Sequence, residues 1–577
     1  MVESLGFFSF VLHGHIPYVL GHGDWPHGAV WLYEASAEVY IPVLNVLNEL
    51  IEEGLWPRLT IGLTPILCEQ LRKSEFQAGF LNYLDKRITA STQDQDQFKS
   101  ENRPHLAYLA NRWMDYYTSV KESFQEQYQN DIVGAYKTLQ DKNLIEIITS
   151  AATHAYFPLL GRDSSINAQI KVGLEAYKKH FKREPQGFWL PECAYRPAYH
   201  WKAPIGDYPE INREGIEILI LKNQIQYFLV DSHLITGAEA IGVYIDRFKA
   251  LKTLWEHFEG QYEPMPKDFK GTPYEPYIAT SGRTKEGAAF FSRDPKTGTL
   301  VWSGEYGYPA IEGRYLDFHK KHLPGGNRYW AVTSPKIPLG DKQEYQPGVI
   351  PRLLDESAGH FKKTIKDVLQ KYKETSKKPG IVVAPFDFEL FGHWWFEGPG
   401  FLQRVLKWVE VDPELELTTC GHYLQQNKPS QAVRLPEGSW GQGGYHYIWF
   451  NKETTWCWNY IYECEQIMEE LAITYKTTSD SNVHRILKQL ARELLLLESS
   501  DWEFLISTWF ARDYAENRIV AHYDRFKRIY QLFQKYEREK TLSEGDWLYI
   551  KNLELQDDFF PNLKVKWFAE LSTPKEQ

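Results

Sequence analysis

Short runs of apolar residues that end in His, Glu or Asp recur along the chain. They are FFSFVLHGH, RLTIGLTPILCEQL, NLIEIITSAATHAYFP, GFWLPECAY, YFLVDSHL and GIVVAPFDFELFGHWW. Runs of this kind are typical of strands that are buried on both faces of a parallel sheet. Helical patterns separate them, for example VYIPVLNVLNELIEEG from Val39 to Gly54. The alternation predicts a parallel α/β barrel, in which reactive side chains lie at the carboxyl ends of the strands.

Two stretches interrupt this rhythm within a predicted barrel of residues 1–404. Residues 85–140 are polar, but their apolar positions recur at helical spacing, which predicts a helical insertion. Those positions are Leu106, Leu109, Trp113, Tyr116, Val120 and Phe124. Residues 232–300 are rich in Gly, Pro and Tyr, and predict an irregular loop excursion over the active-site face.

The pattern becomes helical in residues 405–577, which predicts a separate C-terminal helical domain. One apolar stripe comprises Val483, Ile486, Leu487, Leu490, Leu494 and Leu497, and a second comprises Ile519, Phe526, Ile529 and Phe533.

Composition and charge narrow the class of protein. The 577 residues are too many for one simple core, and 43% hydrophobic with 24% charged residues is ordinary for a folded enzyme. The net charge of −11 argues against nucleic acid or an anionic membrane as the main partner. No stretch has transmembrane length, and the N-terminus lacks the basic start of a signal peptide. Five cysteines without a CxxC pair fit a reducing compartment, so we expect a cytoplasmic protein.

Aromatic content is the compositional outlier. The chain has 20 Trp and 36 Tyr, and Phe, Trp and Tyr together make up 15%. Such side chains can simply fill a core. Many of these, however, lie beside Gly, His and acidic residues, where an indole can stack on the apolar face of a ligand such as a sugar ring.

Two strand-end carboxylates are the candidates for chemistry. Glu192 follows Pro191, which cannot donate a sheet hydrogen bond, so its strand should end there. Asp387 occupies the equivalent position in GIVVAPFDFE. Two carboxylates that flank one glycosidic bond supply a nucleophile and a proton donor, although a buried ion pair would leave the same pattern. Glu389 is a weaker candidate that could orient its neighbour.

Three histidines follow two of the predicted strands. His13 and His15 form an HxH pair, and His154 lies in ATHAYFP. HxH is a zinc-ligand spacing, but no third ligand stands at a characteristic distance along the chain. We therefore expect these histidines to bind sugar hydroxyls and the catalytic carboxylates, with no metal and no cofactor.

Five ordered motifs resemble those of glycoside hydrolase family 57: HGHIPY, THAYFP, WLPE, FDFELFGHWW and ESSDWEFL. Together they extend over nearly the whole chain. The resemblance implies an incomplete (β/α)7 barrel with a helical insertion and a helical C-terminal domain. It also implies a retaining enzyme acting on α-glucans, with Glu192 as nucleophile and Asp387 as acid/base. Asp501, His393 and Trp395 are implied to bind substrate.

Within the family the chain most resembles the 1,4-α-glucan branching enzymes. Three further segments carry this resemblance: GDWPHGAVWLYEA, SRDPKTGTLVWSGEYGYP and LPEGSWGQGGYHYIWFNKETTW. It implies a glucan groove lined by Trp25, Trp31, Trp302, Trp440 and Trp449.

Two features depart from that subgroup. Phe388 stands where the last catalytic motif usually has Tyr or Thr, and the excursion after residue 232 differs in length. The resemblance implies a loop there with a tyrosine at its tip, for which Tyr262, Tyr274 and Tyr277 are candidates.

The predicted function is therefore transfer of an α-1,4-glucan fragment to a glucose 6-hydroxyl, which forms an α-1,6 branch. Amylose, amylopectin or glycogen would serve as donor and acceptor, and a monomer is expected. The alternatives are an α-amylase or 4-α-glucanotransferase with the same acids, a non-catalytic glucan-binding protein, and a metal-dependent carbohydrate deacetylase that uses His13 and His15.

Overall fold

The computed structural model describes residues 4–237, 248–258, 271–281, 287–334 and 336–571. Its strands are Gly6–Gly14 (β1), Thr60–Leu63 (β2), Glu146–Ser150 (β3), Gly187–Trp189 (β4), His200–Trp201 (β5), Ile211–Asn212 (β6), Tyr227–Val230 (β7), Tyr277–Ala279 (β8), Ala289–Ser292 (β9), Gly380–Asp387 (β10), Leu415–Leu417 (β11) and Ala432–Val433 (β12).

Seven parallel strands form a curled sheet in the order β10, β1, β2, β3, β4, β7, β9. Beyond β9 the sheet continues with antiparallel β8 and then β12. The main-chain N–H of Asp294, just after β9, donates to the carbonyl of Val383 in β10 at 2.9 Å, so the two outer parallel strands also meet. The predicted incomplete barrel of seven strands is confirmed.

The barrel helices and the other α-helices are Ala29–Ala35 (α1), Ile41–Glu52 (α2), Pro65–Leu71 (α3), Ser74–Ser100 (α4), Pro104–Glu122 (α5), Ile132–Asp141 (α6), Asp163–Phe181 (α7), Ile216–Lys222 (α8), His233–Thr236 (α9), Lys249–Phe258 (α10), Pro295–Trp302 (α11), Tyr308–Ile311 (α12), Ile350–Ser376 (α13), Gly398–Glu410 (α14), Cys420–Gln426 (α15), Thr455–Thr474 (α16), Ser481–Leu497 (α17), Asp501–Thr508 (α18), Arg512–Glu539 (α19) and Glu544–Gln556 (α20). Within the described residues, no helix is long and apolar enough to cross a membrane.

The segment predicted as a helical insertion contains the paired helices α4 and α5 and most of α6. Helix α4 begins at Ser74, eleven positions before the predicted start. Its first turns already bury Phe76 and Phe80, which are spaced four residues apart on one face. The residues further along the helix are mostly polar, so the sequence pattern did not indicate this earlier start.

The predicted loop excursion at 232–300 contains a barrel strand. β9 at Ala289–Ser292 pairs with β7 and is the seventh parallel strand. It has four residues, and the residues around it, among them Gly287 and Arg293, have the composition of a loop. The strand was therefore not predicted. The described parts of the excursion also include α9, α10 and β8.

The sheet extends past residue 404, where the sequence placed the end of the barrel. β11 pairs with β1, and β12 pairs with β8. These strands have three and two residues, which is too short to give a period-two signal. We therefore propose that the helical domain begins between β12 and α16.

Both predicted apolar stripes of the tail are buried, on α17 and α19 respectively. The turn between α17 and α18 reaches the barrel. Ala155 and Ser499 form an isolated bridge, and the main-chain N–H of Ser500 donates to the carbonyl of His154 at 3.1 Å. The helical domain thereby supplies side chains to the barrel mouth.

Candidate active site

Glu192 lies in a tight turn at the carboxyl end of β4. The strand ends at Trp189, and a short 3-10 helix spans Pro191–Cys193, as the proline predicted. Glu192 has φ 59° and Cys193 has φ 48°, both in the left-handed region. Side chains other than glycine adopt that region at a cost of about 1–3 kcal/mol, and such residues cluster at functional sites. No feature of the sequence indicated this strain.

The Glu192 carboxyl is buried, and its contacts set its charge. Burial raises the pKa of Glu192 to about 8, and the charge of Asp387 acts in the same direction. Hydrogen bonds from Trp440 and Ser500 oppose the rise, because they favour the ionised form. The donor atom on Trp440 is its indole Nε1, 2.7 Å from Oε2 of Glu192.

Asp387 is the last residue of β10 and the register partner of His13 in β1. β10 and β4 are not neighbours in the sheet, because β1, β2 and β3 lie between them. The parallel strands nevertheless direct both ends to the same mouth, and the Asp387 charge influences the pKa of Glu192 there. The structure thus brings the two predicted catalytic acids into one electrostatic cluster.

Glu389 belongs to the same cluster but not to the strand. β10 ends at Asp387, and residues Phe388–Leu390 form a 3-10 helix. Oε1 of Glu389 accepts the main-chain N–H of His15 at 3.0 Å and the hydroxyl of Tyr40. Burial raises the pKa of Glu389 to about 8, again with a contribution from Asp387. Glu389 therefore fixes the main chain of His15 beside the catalytic acids. Tyr40 is a partner of Glu389 that the sequence analysis missed.

The three predicted histidines stack together beside the carboxyls. His13 lies parallel to Trp189 with ring centroids 4.4 Å apart, and His15 lies parallel to His154 at 4.0 Å. Nε2 of His13 and Nε2 of His154 are 3.0 Å apart, and Nδ1 of His154 is 2.9 Å from Oγ of Ser500. Ser500 is a site residue that sequence reasoning missed, although it directly precedes Asp501.

The protonation of this stack follows from its surroundings. Burial, and then the neighbouring imidazoles, lower the pKa of His13 and His154 well below the usual value, so both rings are neutral near pH 7. Between two neutral rings only one Nε2 can carry the hydrogen. A proton on Nε2 of His13 and one on Nδ1 of His154 satisfy both contacts, the latter donating to Ser500.

Asp501 reaches the stack from the first turn of α18. Its Oδ2 lies 2.8 Å from Nε2 of His15 and 2.6 Å from the hydroxyl of Ser499. Burial acts to raise the pKa of Asp501, but the charge and hydrogen bond of His15 hold it below its usual value. The Nδ1 of His15 contacts the hydroxyl of Thr64 at 3.0 Å.

Among the described residues, one set of three side chains is placed so that it could bind a single metal ion. The set is His15, His154 and Asp501. One ligand atom from each lies within 4.8 Å of the others. The group therefore contains only one histidine of the HxH pair, and His13 is not part of it. All four imidazole nitrogens already have protein partners, so a bound ion would have to replace contacts such as that of His15 with Asp501.

Four predicted substrate-binding indoles, those of Trp302, Trp395, Trp440 and Trp449, are at most 1% exposed. Trp302 lies 6.1 Å from Trp440 between ring centroids, and Trp449 stacks on Tyr156 at 4.3 Å. Trp395 packs against Tyr315 and Phe401, which places it in the core rather than on an open groove. The sequence showed indoles near glycines but not which of them are covered.

His393 lies apart from the histidine stack. Its Nδ1 is 2.8 Å from Oε2 of Glu38, and its ring contacts Phe318. Glu38 is also paired with Arg328 at 2.9 Å. His393 therefore belongs to a buried charge network under the helical insertion, which differs from its predicted contact with substrate.

Trp25 and Trp31 follow the carboxyl end of β1, and we call them, with Phe510 and Tyr514, the aromatic rim. Trp25 is 76% exposed. Trp31 contacts Phe510 and Tyr514 of the helical domain, with centroids 6.2 and 5.5 Å away. The rim is thus aromatic on both its barrel side and its helical side. Phe510, which lies between α18 and α19, and Tyr514, in the first turn of α19, were missed because nothing in the sequence distinguishes them from core residues.

Two of the three candidate loop-tip tyrosines are in the wrong place for that role. The carbonyl of Tyr274 accepts the N–H of Ile381 near the start of β10, at the opposite end of the strand from Asp387. Tyr277 opens β8 and is buried. Tyr262 lies outside the described residues.

A parallel α/β barrel whose mouth gathers carboxyls from separate strands, beside stacked imidazoles and indoles, is typical of glycosidases and transglycosidases. Residues 9–436 match the family model described as Glycosyl hydrolase family 57. Residues 460–568 match the model described as 1,4-alpha-glucan branching enzyme, C-terminal. The chain belongs to glycosyl hydrolase family 57.

The chain is similar to known proteins over nearly its full length. The 1,4-alpha-glucan branching enzyme of Thermococcus kodakarensis is 37% identical over 571 residues, 99% of this chain and 79% of that protein. Its crystal structure superposes with a TM-score of 0.88 and covers 99% of this chain and 98% of that one. The branching enzyme of Pyrococcus horikoshii is 38% identical, with a TM-score of 0.86 and coverage of 99% and 98%. The α-amylase AmyC of Thermotoga maritima is 27% identical, with a TM-score of 0.80 and coverage of 98% and 100%.

Proposed function

We propose that this chain is a 1,4-α-glucan branching enzyme that works by retaining double displacement. The observation that carries the proposal is the meeting of Glu192 and Asp387 at one barrel mouth, in a chain whose two parts match the family and its branching-enzyme C-terminal model. The 37% identity to a branching enzyme across 99% of the chain supports the same activity.

In the first step Glu192 attacks the anomeric carbon of an α-1,4-linked glucose. Protonated Asp387 gives its proton to the departing 4-oxygen, which leaves on the reducing-side fragment. The attack requires ionised Glu192, and the N–H of Trp440 and the hydroxyl of Ser500 favour that form. The Asp387 charge raises the pKa of Glu192, so ionisation of both carboxyls together is unfavourable, and in this mechanism Asp387 carries the proton that remains.

In the second step the glycosyl-enzyme is transferred to an acceptor glucan. Asp387, now ionised, removes the proton from a glucose 6-hydroxyl, and that oxygen displaces Glu192 to form the α-1,6 bond. Transfer requires an acceptor to be held near the intermediate while water is kept away. The aromatic rim of Trp25, Trp31 and Phe510 supplies surfaces on which sugar rings can stack.

We propose that His13, His15, His154 and Asp501 line the donor subsite. His13 and His154 are neutral, and a sugar hydroxyl that binds there replaces one of their contacts with each other or with Ser500 without adding charge beside Glu192. Asp501 fixes the ring of His15. We also propose an α-glucan as both donor and acceptor, a monomeric protein and a cytoplasmic location, the last consistent with five cysteines that are all free.

Product linkage tests the function. Linear amylose is incubated with the protein, and proton NMR counts new α-1,6 anomeric signals against new reducing ends. We expect α-1,6 signals to exceed reducing ends, and both to disappear in Glu192→Gln and Asp387→Asn. Reducing ends without branches would instead support an α-amylase, the alternative favoured by the similarity to AmyC.

A further inference from the structure

A second cavity lies at the opposite end of the barrel from the carboxyl cluster. Its volume is about 330 Å³, within the range of small-molecule binding sites. It is lined by residues at the amino-terminal ends of strands, among them Arg58 before β2, Glu146 at the start of β3 and Gln186 before β4. The catalytic acids follow the carboxyl ends of β4 and β10, so the two sites are on opposite faces.

The cavity contains a buried hydrogen-bond donor without a protein partner. Oε1 of Gln140 accepts the main-chain N–H of Ile147 at 2.8 Å and the hydroxyl of Tyr177 at 3.0 Å, which fixes the orientation of the amide. Its Nε2 finds no hydrogen-bond partner among the described residues, and Gln140 is only 4% exposed. A buried amide N–H left unpaired costs about 1–3 kcal/mol, which a ligand acceptor would recover.

The wall also offers an aromatic surface. Trp56 lines the cavity, and half of its side chain is exposed to solvent. The guanidinium of Arg58 lies 5.7 Å from the centre of the indole ring. An exposed indole beside hydrogen-bonding groups is suited to stack on the apolar face of a sugar while its hydroxyls are bound from the side.

The charges of the lining favour a neutral ligand. Arg58 and Arg183 are matched by Glu146 and Glu184, and the other polar lining groups are mostly amides. The Glu146 carboxyl is already occupied by the hydroxyl of Tyr227 and the N–H of Gly421, both at 2.8 Å. A phosphate or nucleotide would need an excess of positive charge, which this cavity lacks.

We propose that this cavity is a second glucan-binding site, which holds one or two glucose units of a polymer whose other chains enter the catalytic mouth. The inference rests on the proposed function for the identity of the ligand. A polymer held at two faces is retained more strongly than one held at the catalytic mouth alone, because the second contact is intramolecular. The site would therefore act on long or branched glucans and leave short oligosaccharides unaffected.

Native electrophoresis through gels containing glycogen tests the site. The full-length Glu192→Gln protein prevents turnover during the run, and Trp56→Ala is added to it. We expect glycogen affinity to fall roughly threefold to tenfold, the range of one lost aromatic contact. Arg183→Ala, a change at an exposed position, should give a smaller loss in the same direction.

Trp547→Ala is the matched control, because that indole also has an arginine over it, Arg485 at 5.0 Å, but lies outside the cavity. It should leave glycogen affinity unchanged. In the otherwise unchanged enzyme, Trp56→Ala should raise KM for amylose and leave kcat on short maltooligosaccharides as it was.

The outcomes separate the two proposals. Equal retardation of the Trp56→Ala and Trp547→Ala proteins, with unchanged KM for amylose, would overturn the second site and leave the catalytic proposal standing. Absence of retardation in the Glu192→Gln protein itself, together with no new α-1,6 signals from active enzyme, would overturn both. Thermal denaturation of Trp56→Ala checks that the variant is folded.

Discussion

The indole of Trp440 donates a hydrogen bond to the carboxyl of Glu192 at 2.7 Å, and its main-chain N–H donates to the carbonyl of the same residue at 3.1 Å. Trp440 lies 248 positions further along the chain, between β12 and α16. The resemblance to the branching enzymes implied only that it lines a glucan groove. Its contact with Glu192 gives it a second role, which is to stabilise the ionised nucleophile.

Replacement of Trp440 by Phe should separate these two roles. Phe keeps an aromatic ring against Trp189, whose ring centroid lies 5.3 Å away, but has no N–H. The hydrogen bond favours ionised Glu192, so its loss raises the pKa of that carboxyl further. We expect the acidic limb of the kcat/KM profile to move to higher pH, and activity at pH 7 to fall roughly 10- to 100-fold.

Trp113→Phe is the control for the loss of an indole donor. Trp113 is buried in the helical insertion and donates to the carbonyl of Arg328, far along the chain from either acid. Its pH profile should keep the position of the unmodified enzyme. A Trp440→Phe profile that is lower at every pH but not displaced would show that packing, rather than the charge of Glu192, is what the indole controls.

The sequence predicted the parts of the site that lie at strand ends. Glu192, Asp387, His13 and His154 each follow an apolar run, and parallel strands carry the residues after such runs to one mouth. This part required only the strand pattern. The separation of β4 from β10 by three intervening strands could not be predicted, because the order of strands depends on contacts between distant segments.

What the sequence missed depends on tertiary contacts or on very short elements. The contacts of Ser500 and Tyr40 join segments hundreds of positions apart. The periodicity of apolar residues gives no information about such pairs. Strand β9 has four residues, as β2 and β7 do, but it lies in a stretch rich in Gly, Pro and Tyr, which is typical of a loop. The burial of the Trp395 indole could not be predicted either, because an aromatic residue near a glycine gives the same sequence pattern whether its side chain is buried or exposed.

Asp501→Asn should weaken the hold on His15. The substitution keeps a side-chain oxygen near Nε2 but removes the negative charge that stabilises the contact at 2.8 Å. We expect kcat/KM on amylose to fall about tenfold or more, as for other hydrogen bonds to charged groups. Steady-state kinetics on amylose would measure it.

Asp513→Asn provides the comparison for Asp501→Asn. Asp513 also occupies the first turn of a helix, α19, but is exposed. Its removal should leave both kinetic constants unchanged. Equal kinetics for the two variants would contradict a role for Asp501 in the site.

Chelation should not affect the enzyme. His15, His154 and Asp501 could approach a metal ion together, but their imidazole nitrogens are engaged by Thr64, Ser500 and other protein groups. We expect α-1,6 branch formation to be the same before and after dialysis against EDTA. Loss of branch formation that Zn²⁺ restores would instead show that a metal ion held by these side chains takes part in the reaction.

Glu389→Gln should stabilise the fold, and more so as the pH rises. The pKa of Glu389 is about 8 in the folded protein and about 4.5 when unfolded, so between these values only the folded state holds the proton and stability falls with rising pH. Gln retains an Oε1 for His15 and Tyr40 without this cost. The gain in Tm should be absent near pH 4.5 and largest at pH 8 and above.

Glu69→Gln is the opposite control: burial acts to raise the pKa of Glu69, but hydrogen bonds from His180 and Lys179 hold it below the usual value. Relative to the unmodified protein, that variant should lose stability as the pH rises towards about 4.5 and then keep a constant deficit above it. A stability difference that grows in both variants between pH 4.5 and 8 would contradict the assignment.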